Sequence, residues 1–157
     1  MNIGLHSVRI GLALLSFCAA YQVAMGVYFL ALRPTLLPED ERAIAGSQDE
    51  ISRAAPGFAE WMDRVLIVLG GQAVATGLLV IAVIYLLSRA GRPSLLPLLL
   101  LGGAGLFSVI LMSTINFLIL SDFRWVLLAP ALAWTGGVFA LALPSSSQDR
   151  FRGSSGG

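Results

Sequence analysis

The chain has 157 residues, of which 57% are hydrophobic and 12% charged, and its mean hydropathy is +0.83. A water-soluble globule normally charges about a quarter of its residues, so this composition excludes that class and points to a bilayer as the solvent. The formal net charge is +1 and the ten basic residues are dispersed, which excludes nucleic acid as a partner because phosphate binding needs clustered cations.

Every basic residue is arginine, a usage that suggests a GC-rich bacterial genome. The single Cys18 excludes an intrachain disulfide and CxxC chemistry. Between Arg9 and Arg33 lies an uncharged run of about 23 residues, which as a helix reaches about 34 Å and exceeds the roughly 30 Å hydrocarbon core. This predicts a first span over 10–32. Its start resembles a secretory signal, with Cys18-Ala19-Ala20 as a small-residue cleavage site, but the apolar run continues unbroken to Leu32 and predicts an uncleaved span. Phe17 fills the position where a lipoprotein signal needs a small residue.

Three acids then stand together at Glu39, Asp40 and Glu41. Arg33-Pro34 ends the first helix, since proline pushes the residue before it out of the helical region. Pro38 suits the first position of a new helix, and carboxylates in its first turn complement the positive helix end. Gly46 is expected to close that helix. Ser47 and Glu50 have the spacing of a capping box, predicting a second short helix to about Ala55. Pro56 opens a third, carrying Phe58, Trp61 and Met62 into the second span. Pairs Glu39–Arg42, Glu50–Arg53 and Glu60–Arg64 place an acid three or four residues before an arginine, the favourable order on a helix. Divalent-cation binding by Glu39, Asp40, Asp49 and Glu50 would need an EF-hand-like spacing that the sequence lacks.

Further spans are predicted at 65–87, 95–120 and 126–143. No backbone edge can stay unpaired in lipid, so these segments are helices. The expected fold is all-α, a four-helix transmembrane bundle occupying 1–144 with a short helical cap over 33–64. Residues 145–157, ending GSSGG, read as a disordered tail or an appended linker. Arg9, Arg89, Arg92, Arg150 and Arg152 fall on one side and Arg33, Arg42, Arg53, Arg64 and Arg124 on the other, a tie that loop length breaks, since the first five lie in short loops or tails whereas Arg42 and Arg53 sit deep in a longer loop. The positive-inside rule then puts both termini in the cytoplasm of a bacterial plasma membrane and the cap outside.

No Asp, Glu, Lys, Arg or His lies within a predicted span, so the interior lacks a proton relay and a nucleophile-base pair. His6 has no second histidine to share a metal. The reading leans away from an enzyme, with no cofactor and no metal. Glycines at 70, 71, 77, 102, 103, 105, 136 and 137 make small-residue faces for close helix packing. One uncharged polar residue per span, Gln22, Gln72, Asn116 and Thr135, forms a layer within about 7 Å along the membrane normal and supplies the candidate ligand-binding residues. Gln22 and Gln72 are expected to point inward and hydrogen-bond to each other, because an amide facing hydrocarbon goes unsatisfied.

The first span, the run Arg-Pro-x-Leu-Leu-Pro-Glu-Asp (Arg33 to Asp40), the short helix and the span bearing Gly70 and Gly71 resemble a group of uncharacterised bacterial four-span membrane proteins. The resemblance covers the first half of the chain and brings no activity. Span count and size are also similar to DoxX-like proteins and to membrane-associated eicosanoid and glutathione enzymes, whose glutathione-holding pattern is not matched here. The function expected is non-catalytic binding of partners through helix faces or the cap, with membrane lipid, another membrane protein or a second copy of the chain as partner. The alternative is a lipid or apolar small-molecule binding or transport protein. A cavity reaching the polar layer would favour the alternative, and a filled bundle the first.

Overall fold

The computed structural model describes residues 3–90 and 94–143. The tail expected over 145–157, and Arg92 with it, lies outside the described residues. The chain runs α1 (Ile3–Ala31), α2 (Pro38–Ile44), α3 (Gln48–Ala54), α4 (Phe58–Ala90), α5 (Leu95–Gly105), a π-helical turn (Leu106–Ile110), α6 (Leu111–Leu118) and α7 (Arg124–Ala142). Among the described residues four helices are long and apolar enough to cross a membrane, the third being α5 continued through the π-turn into α6. The expected four-span helical bundle is what the chain forms. Its boundaries differ from the hydropathy limits: α1 already begins at Ile3, and α4 runs without a break from Phe58 through the expected interfacial aromatics to Ala90. Backbone hydrogen bonding continues where side-chain hydropathy falls, since a helix end needs a cap rather than a charge.

Antiparallel neighbours follow chain order only in part. In space the order is α4, α1, α7, then the third span, so the first span sits between the second and the fourth. Small residues set these contacts. A Cβ on Gly26 would come within 2.7 Å of the Gly70 carbonyl oxygen, and one on Gly70 within 2.8 Å of the Gly26 carbonyl oxygen. Seven residues along α4, a Cβ on Gly77 would meet the Ala19 carbonyl oxygen at 2.9 Å. Gly11 packs in the same manner against Gly137 across α1 and α7. Gly71, Gly102 and Gly103 are different, with open space where a Cβ would stand.

The third and fourth spans are locked by Trp134, which is 1% exposed. Its indole N–H donates to the Leu101 carbonyl at 2.8 Å, and the ring lies where a side chain on Gly105 would have to be. The π-turn begins one residue later. The Ser108 hydroxyl donates to the Ala104 carbonyl at 2.6 Å there, giving that carbonyl a side-chain partner beside the widened turn. The core draws on all four spans, with Leu15, Cys18, Ala19, Val80, Leu87, Leu101, Val109, Trp134 and Leu141 in one cluster. Large apolar side chains such as Leu79, Leu100, Phe107 and Phe139 point outward, the surface a bilayer would cover.

Each of the three adjacent acids has its own partner. Asp40 accepts from the Leu37 amide at 2.9 Å and from the Arg33 guanidinium at 2.7 Å, so it both caps α2 and ties it to the end of α1. Glu41 accepts from the Gln48 amide at 2.8 Å, joining α2 to the first turn of α3. Glu39 turns inward, is 4% exposed, and accepts from the Ser121 hydroxyl at 3.2 Å. The expected Glu39–Arg42 pair is therefore not made. Arg42 reaches across to Asp122 at 2.9 Å, and Arg53 donates to the Asp49 carbonyl instead of pairing with Glu50. Only the Glu60–Arg64 pair of the three forms. Helical spacing permits such pairs, but an exposed pair gains so little that tertiary partners decide.

The end of α2 also differs from expectation. Ala45, not Gly46, takes the left-handed conformation at φ 53°, while the Gly46 amide donates to Glu41 at 3.2 Å. Leu120 repeats the pattern at φ 54°, with the Ser121 amide donating to the Asn116 carbonyl at 2.9 Å. Both are Schellman ends built on residues that carry a Cβ, a conformation glycine would adopt at less cost.

A candidate ligand cavity under the helical cap

The Leu120 turn has a local purpose. By reversing the chain directly after α6, it buries Ser121 completely beneath α2, where its hydroxyl meets Glu39 and accepts from the Phe123 amide at 3.2 Å. Glu39 also lines a cavity of about 380 Å³ bounded by α1, the start of α2 and the loop before it, α6 and α7. Its walls are mostly apolar and aromatic, among them Tyr21, Met25, Phe29, Met112, Phe123 and Leu127. Ligand cavities of this kind combine such walls with a few placed polar groups.

The polar groups are few, and besides Glu39 and the Tyr28 hydroxyl they are these. Arg33 lines the cavity, but its guanidinium is spent on Asp40 and on the carbonyls of Pro34 and Thr35. Asn116 donates from Nδ2 to the Met112 carbonyl at 2.9 Å. Because a carbonyl only accepts, that bond fixes which end of the amide is which and leaves Oδ1 as an acceptor. Tyr21 has its hydroxyl buried without a hydrogen-bond partner. Such an atom costs about 1–3 kcal/mol, since folding removed its water and returned nothing. Pro130, within α7, has no N–H to offer the carbonyl of Val126, another wall residue.

The four residues of the expected polar layer do not converge. Asn116 alone among them lines this cavity. Gln22 is buried as expected, 6% exposed, but its Nε2 has no partner. Gln72 is on the outward face of α4, so the expected Gln22–Gln72 hydrogen bond does not form. Helical rise spaces these residues along the normal but says nothing of azimuth. The α1–α4 seam is claimed by Gly26, Gly70 and Gly77, and 72 lies two residues from Gly70, about 200° round the helix. Thr135 lies in a shallower groove between the third and fourth spans, lined also by Ser113, Thr114 and Leu128. There the Thr114 and Thr135 hydroxyls are spent on carbonyls of their own helices.

Tyr21, Glu39 and Ser121 are the residues that sequence reasoning missed. A signal existed for Glu39: a helix start needs one or two carboxylates, and here there are three, so one was available for other work. Among the described residues, no group of three or more His, Cys, Asp or Glu side chains comes together as a metal site, and Glu39 and Glu50 face different partners. Comparison of the chain with protein-family models, with curated proteins and with solved structures gave no match.

Proposed function

We propose that this multi-pass membrane protein binds an amphipathic small molecule or lipid in the cavity under its helical cap. The observation that carries the reading is the cavity itself: about 380 Å³ with mostly aromatic and aliphatic walls, one of them Tyr21, whose hydroxyl is buried and unpartnered. A bundle serving only as a docking surface has no reason to keep this space or that desolvated hydroxyl, so partner binding takes second place. The reading needs no catalytic step and no cofactor. We further place the protein in a bacterial plasma membrane with both termini cytoplasmic, on the arginine distribution, which puts the cavity near the outer face.

The test is native mass spectrometry of the protein extracted gently from its membranes. Wild type should retain a bound amphiphile, and Met112→Trp or Met25→Trp, which fill the cavity from α6 and from α1, should lose it with the fold retained in thermal denaturation. Equal retention by wild type and both folded variants would overturn the proposal.

A further inference from the structure

Resting on that reading, we propose that the cavity selects an amphiphile whose head is a protonated amine, held by the Glu39 carboxylate. Of the residues that line the cavity, Arg33, Glu39 and Asp40 carry formal charges, one positive and two negative. The cation, Arg33, is already matched to Asp40 at 2.7 Å. Glu39 is left, 96% removed from solvent by its 4% exposure, with a long neutral hydrogen bond from Ser121 as its partner. Among the described residues no cation lies within ion-pair distance of it. A buried carboxylate without a counter-charge is costly, and a ligand that brings one recovers that cost on binding.

The hydrogen-bonding inventory points the same way. The unspent atoms are mostly acceptors, the Glu39 carboxylate, Asn116 Oδ1 and the Val126 carbonyl, together with the Tyr21 and Tyr28 hydroxyls, which can act in either sense. An ammonium group has donors only, so it complements this set, whereas a phosphate or carboxylate head would face acceptors and find Arg33 engaged. Tyr21, Tyr28 and Phe123 are aromatic wall residues, a residue type whose ring faces attract cations, while the Phe29 face is already taken by Arg33, 5.3 Å from its centroid. A volume of about 380 Å³ accepts a head and the first part of one chain. Two sources carry this chemistry, a free long-chain amine and an amine-headed membrane lipid.

The experiment uses the full chain in neutral detergent and measures dodecylamine, dodecanol and dodecyl sulfate by competition and native mass spectrometry. Dodecylamine should bind wild type roughly tenfold to a hundredfold more tightly than dodecanol, the range expected for a hydrogen bond to a charged group. Glu39→Gln keeps an acceptor for Ser121 and should abolish that preference while leaving dodecanol unchanged. Equal affinity for amine and alcohol in wild type would overturn the amine inference yet leave the cavity's ligand role standing. Binding of none of the three, or binding unaffected by Met112→Trp, would overturn both. Displacement of dodecylamine by phosphatidylethanolamine but not phosphatidylcholine identifies the lipid as the source, and displacement by neither identifies the free amine. Should Glu39→Gln fail to fold, the wild-type preference alone decides.

Discussion

Ser47 and Glu50 hold each other at the start of α3: the Ser47 amide donates to the Glu50 carboxylate at 2.8 Å, and the Glu50 amide to the Ser47 hydroxyl at 3.3 Å. The backbone amide first and the hydroxyl second hold the Glu50 pKa below the usual carboxylate value. A depressed folded pKa means that the cap's contribution is fully present above the unfolded value and is lost as pH falls through the folded one. Amide protection factors at Gln48 to Ile51 should therefore fall on acidification, and Glu50→Gln, which keeps a neutral capping box, should flatten that dependence. A pH-independent wild type would show that the carboxylate does not hold the turn. This box was legible in the sequence because both partners belong to one local turn. The partner of Glu39 was not, since Ser121 is 82 residues away and reaches it only through a left-handed leucine.

At the scale of elements, the glycines separate into those that set helix contacts and those that do not, and spacing alone could not sort them. Gly70 and Gly71 are adjacent in α4, yet a Cβ on Gly70 would strike the backbone of α1 at 2.8 Å, while one on Gly71 meets nothing within 4 Å. Gly70→Ala should destabilise the bundle in detergent by about 1–3 kcal/mol, because a backbone contact cannot step aside. Gly71→Ala should be neutral or stabilising by up to about 1 kcal/mol, the helix-propensity gain. Similar losses for both in thermal denaturation would mean that α1 and α4 do not meet on this seam. Gln72 belongs to the same account, since the face that packs is chosen by close approach of backbones, and a long amide two residues round from Gly70 is carried outward. Span existence was readable from hydropathy for the complementary reason: each span must satisfy its own backbone in lipid, whatever its neighbours do.

For the whole molecule, antiparallel packing brings the cap and the turn between the third and fourth spans to one end, where Arg42 meets Asp122 and Glu39 meets Ser121. Reporter fusions near Gly46 should therefore report the outside, with fusions after Gly91 and after the tail reporting cytoplasm, since arginines in short loops stay in. The reverse pattern would overturn the proposed orientation and carry the cavity to the other face. By itself the sequence determined that the chain forms four helices long and apolar enough to cross a membrane, that the first helix ends before Pro34 and a new one opens at Pro38, and that a capped helix starts at Ser47. Those properties depend on local backbone satisfaction and on transfer of contiguous apolar surface into lipid. Only the tertiary structure decided that α1 lies between α4 and α7, that Glu39 faces inward, and that a cavity remains between α1, α6 and α7. Each depends on which helix faces meet, and a change of about 100° per residue in azimuth turns a lipid-facing amide into a buried one without altering composition or depth.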